Sequence, residues 1–173
     1  MLKKIQFLGL LLISISAGAA TFINAPYRVC FTPAQSCATY VVTAINEAKQ
    51  RVEVQAYSFT SKSILAALKN AHDRGVDIRV ILDKGQYSKS GKYTSATFLT
   101  HAGISVWIDN TVAIAHNKVM VLDDAEVITG SFNFTRAADE RNAENLLVIT
   151  DRGLAKKYKQ NWVTRMKKSQ KLN

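Results

Sequence analysis

The period of the apolar positions changes several times along the 173-residue chain, and each change marks an element. In "ATYVVTAINEAKQR", Val41, Val42, Ile45 and Ala48 recur at helical spacing and share one face. "VEVQAYSF" then alternates apolar and polar positions, the period-two pattern of a strand. "SKSILAALKNAHDRGV" opens on serine caps, carries Ile64, Leu65 and Leu68 on a stripe, and stops at Gly75, as a capped helix does. "DIRVILD" is the next strand. Strand, helix and strand in this order predict a right-handed crossover and parallel pairing.

"KGQYSKSGKY" is polar, glycine-containing and lysine-rich, which predicts an exposed loop. A short helix around "TSATFLTHAG" ends at Gly103, and "ISVWID" follows as a strand. "AHNKVMVLDDAEVITGSFNFT" predicts a hairpin turning at Asp123, Asp124 and Ala125, followed by a strand in "NLLVIT". A basic amphipathic helix from about Gly153 to Lys168 closes the chain, with no internal repeat, low-complexity tract or linker. The expected class is α/β, with a mixed, largely parallel central sheet flanked by helices.

The first residues have a different pattern. Lys3 and Lys4 precede an apolar run from Ile5 to Ile15, too short to span a bilayer, and Ala17 and Ala19 fit an A-x-A cleavage site. Residues 1–19 are therefore expected to be a signal peptide and 20–173 one exported domain, periplasmic or secreted, with a buried N-terminal helix as the alternative. No later apolar stretch approaches membrane length, so the mature chain is expected to be soluble. Export would place Cys30 and Cys37 in an oxidising compartment, where a short disulfide loop and a pair of free thiols are both open. Without a matching histidine cluster the two make a poor zinc site.

Against 13 acidic residues stand 23 basic ones, a formal charge of +10, which falls to +8 once a leader carrying two lysines and no acid is removed. Such a balance favours polyanions, nucleic acids and anionic lipid surfaces alike. Lys62, the loop lysines Lys84, Lys89 and Lys92, and Arg136 are candidate phosphate contacts, or else solvated charge. Tyr57, Phe59 and Tyr87 are candidates for base stacking, or else core.

The chemistry concentrates in the hairpin. On a strand, His116 and Lys118 project together while Val119 and Val121 face away, which sets a titratable base beside a fixed positive charge. Gly130, at the end of "AEVIT", allows close approach of backbone N–H groups to an anion, and Ser131 and Asn133 add oriented donors. With Lys118 these form a cradle for a phosphate, and His116 stands at its edge as nucleophile or as acid and base.

The pattern His116-x-Lys118-x4-Asp123-x6-Gly130-x-x-Asn133 resembles the HKD motif of the phospholipase D superfamily at every motif position. "QAYSFTSKSI", "AHDRGVDIRVILDK", "GSFNFTRAADERNAENLLVI" and the "CFTP" start resemble the small secreted bacterial nucleases of that superfamily, the EDTA-resistant type. The resemblance implies a phospholipase D-like fold with half a site per chain, and a phosphodiesterase that uses no metal or other cofactor and works through a phosphohistidine. It implies His116 as nucleophile, Lys118, Ser131 and Asn133 on the phosphate, and Asp123 as a supporting residue away from the reacting phosphorus. It also implies that Glu144 orients the histidine, as a carboxylate on one ring nitrogen fixes the tautomer.

In-line displacement needs a nucleophile on one side of phosphorus and a proton donor on the other, and His116 cannot be both at once. His72 and His101 each sit where a helix C-terminus favours a cation, and neither has a lysine two residues on. Two chains presenting His116 to one phosphate across a two-fold axis resolve this, so a homodimer is expected. No metal-ligand spacing is present, and Asp123-Asp124 fits a turn better than a magnesium site. Nucleic acid, cut with little sequence preference, is the favoured substrate. Phospholipid headgroups are the alternative substrate, and a module that only binds nucleic acid is the non-enzymatic one.

Overall fold

The computed structural model describes residues 24–87 and 94–172. The expected signal segment, Lys89 and Lys92 lie outside the described residues. The strands are β1 (Tyr27–Thr32), β2 (Arg51–Ala56), β3 (Asp77–Asp83), β4 (Ser105–Asp109), β5 (Lys118–Leu122), β6 (Glu126–Gly130), β7 (Glu144–Thr150) and β8 (Gln170–Lys171). The α-helices are α1 (Cys37–Glu47), α2 (Lys62–Asp73), α3 (Ser95–His101), α4 (Arg136–Glu140) and α5 (Arg152–Lys168).

All strands join one sheet in the order β1-β7-β6-β5-β2-β3-β4-β8. The mixed sheet is as expected, but its largely parallel character is not. Only β2–β3 and β3–β4 are parallel, and the other five pairings are antiparallel. The strand-helix-strand signal gave the parallel pairing of β2 and β3 across α2, and α3 makes a second connection of the same kind to β4. Beyond β4 the chain returns along residues 110–117 to the other side of β2, and a tight turn and then the longer connection through α4 leave β5, β6 and β7 antiparallel.

One face of the sheet packs under α1, α2 and α3 in the main core, where Val41, Ile45, Ile64, Leu68 and Leu99 meet Val54, Val80, Met120 and Ile128. The opposite face is only partly covered. There α5 lies on Val119, Val121 and Val127, anchored by the Trp162 indole N–H donating to the Val54 carbonyl at 2.9 Å. Serine or threonine caps three of these helices: Ser61 accepts from Ile64 N–H, Ser36 from Thr39 N–H, and Thr94 from Thr97 N–H in a capping box. Cys30 on the edge strand β1 and Cys37 at the start of α1 form a disulfide. His72 and His101 lie in the last turns of α2 and α3, as the dipole argument expects.

Candidate active site

Three antiparallel strands bring their ends together at one edge of the sheet. Lys118 opens β5, Gly130 closes β6 and Glu144 opens β7. The β5–β6 turn folds the chain so that residues twelve to fifteen positions apart face each other, with Asp123 and Asp124 at φ 50° and 56°. Aspartate tolerates this left-handed conformation better than most residues. His116, Lys118, Gly130, Ser131, Asn133 and Glu144 line a shallow depression of about 400 Å³. The sequence-predicted cradle is thus assembled in one place.

His116 precedes β5 and is exposed, yet two contacts fix its backbone: Tyr57 N–H donates to Asn117 O at 2.9 Å, and Ala115 N–H donates to Asp83 Oδ2 at 2.7 Å. Asp83, 5% exposed at the end of β3, also accepts from Gly85 N–H. The Tyr57 ring packs on the imidazole with centroids 4.5 Å apart, and Lys118 Nζ lies 5.3 Å from the same ring. Lys118 Nζ stands 3.0 Å from Nδ1 and 3.1 Å from Nε2 of His116, and donates to the His116 carbonyl at 2.9 Å. Equal reach to both nitrogens places the ammonium over the ring rather than on one lone pair.

Burial lowers the pKa of Lys118 from its ordinary value, opposed by the nearby Glu144 carboxylate. An ammonium that is partly desolvated gains more from an incoming phosphate than one in water. The segment after β6 alternates, with Phe132 and Phe134 each 1% exposed in the core and Ser131 and Asn133 at the pocket. It is pinned to the chain after β2 by Thr60 and Ser61 N–H groups, both donating to Phe134 O at 2.9 Å. Asn133 Oδ1 is buried without a hydrogen-bond partner, which leaves carboxamide capacity unspent at the site.

Gly130 serves a different purpose from the one expected. Its φ is +155°, and a Cβ there would run into the carbonyl of Asn145 on β7. That carbonyl accepts from the N–H groups of both Ser131 and Phe132, at 3.1 and 3.2 Å. These two amides are therefore spent on the sheet and not free for an anion. The cradle is made of side chains.

Glu144 accepts from Ser131 Oγ at 2.5 Å and from Asn142 Nδ2 at 3.0 Å, and no hydrogen bond joins it to His116 within this chain. Asp123 lies at the far end of β5, about 16 Å from Lys118 at the usual rise per strand residue. It accepts from the N–H groups of Lys49, Gln50 and Arg51 at 2.8, 2.8 and 2.9 Å. Burial raises its pKa, but these hydrogen bonds outweigh burial and hold it below the ordinary aspartate value. It ties the α1–β2 loop to the β5–β6 turn.

The candidate basic contacts are dispersed. Lys62 and Arg136 line a separate depression of about 290 Å³ that also holds Asp139 and Glu140, and Arg136 pairs with Glu140 at 2.8 Å. Lys84 Nζ donates to Val112 O at 3.2 Å, in the loop before His116. Phe59 is core, whereas Tyr87 is half-buried. Among the described residues no group of three or more His, Cys, Asp or Glu side chains could hold a metal ion, and no helix is long and apolar enough to cross a membrane. Sequence reasoning missed Asp83 and missed Tyr57 as a wall for His116. Both act across the parallel strand ends, which only the topology brings near residue 116.

A family model described as "Cardiolipin synthase, PLD-like domain" matches residues 41–166. The phospholipase D of Rickettsia felis is 46% identical over 143 residues, covering 83% of this chain and 70% of that protein. The mitochondrial cardiolipin hydrolase of Xenopus tropicalis is 32% identical over 138 residues, covering 78% of this chain and 65% of that protein. Among solved structures, the phospholipase D family member Nuc from Salmonella typhimurium superposes with a TM-score of 0.80 at 33% identity, covering 86% of this chain and 99% of that one. NucT from Helicobacter pylori, at 22% identity and a TM-score of 0.75, shares the fold.

Proposed function

Since the chain belongs to the phospholipase D-like family, we propose that it is an exported, metal-independent phosphodiesterase that cuts nucleic acid through a phosphohistidine on His116, in a site shared by two copies of the chain. The observation that carries this reading is the single pocket holding one histidine against one buried lysine, ringed by Ser131, Asn133 and Glu144. The His116 imidazole attacks phosphorus, a P–N bond forms, and the bond to the leaving oxygen breaks as the partner subunit's His116 protonates it. Water then attacks phosphorus, gives its proton to the partner subunit's His116, and releases the first imidazole. Lys118, Ser131 and Asn133 hold the phosphoryl oxygens, where negative charge builds. Asp83 and Tyr57 position His116, and Asp123 supports the scaffold.

The dimer gains support from the face of β1 and β7 that α5 leaves open. Tyr27 and Phe31 are 70% and 56% exposed there, beside the half-buried Leu147 and Ile149. A strip of this kind on an edge strand needs a cover. Nucleic acid as substrate is supported by the net charge, +10 for the whole chain and +8 without the leader, and by the near full-length match to Nuc. Export is supported by the leader-like start and by the disulfide, which oxidising compartments favour.

Phospholipid headgroups are the second reading, favoured by the names of the relatives and by Val112 and Ile114, which are 36% and 56% exposed in the loop just before His116. Incubation in excess EDTA with labelled DNA, and in parallel with phosphatidylcholine vesicles, separates the two. The expected result is degraded DNA and intact lipid, with His116→Ala abolishing cleavage but retaining DNA binding, and Lys118→Ala weakening both. Released choline with intact DNA overturns the substrate, and cleavage that needs added magnesium overturns the mechanism.

A further inference from the structure

Behind the active-site pocket lies a cleft with a buried polar floor. Gln55 on β2 is 4% exposed, and its carboxamide makes no hydrogen bond among the described residues. Its amide is not sealed in the interior but meets the cleft, and so keeps a donor and an acceptor free for a ligand. The cleft, of about 300 Å³, is lined by Gln55, Asn117 and Val119 from the sheet and by Lys157, Tyr158 and Asn161 from α5. It exists because α5 crosses the sheet obliquely. Lys159 holds Asp124 beside the β5–β6 turn at 2.7 Å, and Arg165 holds Asp109 at the opposite end of the sheet, so the end of β5 nearest His116 stays uncovered.

The cleft and the pocket stand back to back. Asn117 separates His116 from Lys118, and strand alternation sends its side chain to the face of Val119, under α5. The two open on opposite faces at the same strand end, so a nucleic acid with its phosphate at His116 lays a base in the cleft by passing around the start of β5.

The lining selects the ligand class. Gln55, Asn117 and Asn161 each present a donor and an acceptor side by side, the arrangement that pairs with a nucleobase edge. The Tyr158 ring offers a face for stacking, and Lys157 a cation for an adjoining phosphate. No carboxylate lines the cleft to repel a polyanion, and a single valine gives an acyl chain no channel. A volume of about 300 Å³ lies at the small end of ligand sites and suits one base with its sugar.

We propose that this cleft is a nucleotide subsite, in which Gln55 hydrogen-bonds the edge of the base next to the phosphate being cut. The inference rests on the nuclease reading above and refines it. Cleavage carries a bias for the base on one side of the cut, where the sequence alone predicted little preference.

The test compares wild type, Gln55→Leu and Asn161→Ala as full chains in EDTA. The substrates are an oligonucleotide with randomised bases around the cut sites and bis(4-nitrophenyl) phosphate, a diester without a base. Wild type should show a base bias at one flank. Both variants should flatten it, raise the oligonucleotide KM, and lower the ratio of kcat/KM on the oligonucleotide to that on the base-free diester by about tenfold, the worth of one base-edge hydrogen bond. Gln55→Leu should melt close to wild type, since the carboxamide it removes makes no hydrogen bond within the fold and faces the cleft. Asn161 is on the exposed surface of α5, so its variant reports on the cleft even if Gln55→Leu fails to fold. An unchanged bias and KM in both variants overturn the subsite alone. A wild type that hydrolyses the small diester but cuts no oligonucleotide overturns the nuclease reading and the subsite with it.

Discussion

Replacing Asp123 with alanine should damage the fold and spare the chemistry, although Asp123 belongs to the same motif as His116 and Lys118. Its carboxylate accepts three backbone N–H groups, from Lys49, Gln50 and Arg51, at 2.8 to 2.9 Å. Hydrogen bonds to an ionised acceptor contribute about 1.5–3 kcal/mol each in protected sites, and this cluster is only partly buried, so about 1 kcal/mol each is the appropriate scale. Their loss costs about 3 kcal/mol. Alanine at φ 50° adds about 1 kcal/mol of backbone strain. A domain of this size loses about 2–4 °C of melting temperature per kcal/mol, so Asp123→Ala should melt about 10 °C lower. The pKa of Asp123 is depressed in the folded state, so its contribution is present above the ordinary aspartate value and is lost as pH falls through the folded value. The gap between the melts of wild type and variant should therefore narrow as pH falls from 7 to 3, leaving the pH-independent backbone strain. At a temperature where both are folded, kcat should stay within about threefold, because the carboxylate lies about 16 Å from Lys118. A kcat reduced a thousandfold at unchanged melting temperature would refute this reasoning and place Asp123 in the chemistry.

Two further perturbations test the scaffold. Cys30→Ser with Cys37→Ser removes a disulfide spanning seven positions, and the entropy of so short a loop predicts a loss of about 2–3 kcal/mol, read as a lower urea midpoint that reductant does not shift further. Glu53 is 2% exposed beneath α5 with an unpartnered Oε2, and burial raises its pKa against the opposing charge of Lys159. A raised acid contributes stability below its ordinary value that is lost as pH rises through the folded value, so Glu53→Gln should gain over wild type at pH 8 and match it near pH 4. Equal pH slopes in the two proteins would contradict that.

Legibility in the sequence followed the range of the interaction. β3 was predicted to the residue because an apolar run bounded by aspartates is a local signal, and α2 because Ser61 and Gly75 mark its ends. β1 went unseen: its outward residues Tyr27, Val29 and Phe31 are apolar, which hides the alternation, and its partner β7 lies more than a hundred residues away. β8 and α4 are too short to set up a period. The sheet was expected to be more parallel than it is because a crossover is visible in one segment, whereas the placement of β5 against β2 depends on a return loop of no clear pattern. At the site, His116, Lys118, Ser131 and Asn133 were legible from spacing. The diversion of the Ser131 and Phe132 amides to Asn145 was not, since it depends on the register of β6 on β7. Gln55 was equally hidden, because its burial is set by α5, a hundred residues later.

The central claim is that one chain carries half a catalytic site built on His116. Wild type and His116→Ala chains, mixed in varied ratios, unfolded and refolded together, test it through phosphodiesterase activity in EDTA. If one phosphate needs His116 from both copies, activity falls as the square of the wild-type fraction, to about a quarter in an equal mixture. A linear fall, to about half, would mean that each chain works alone and would contradict the shared site.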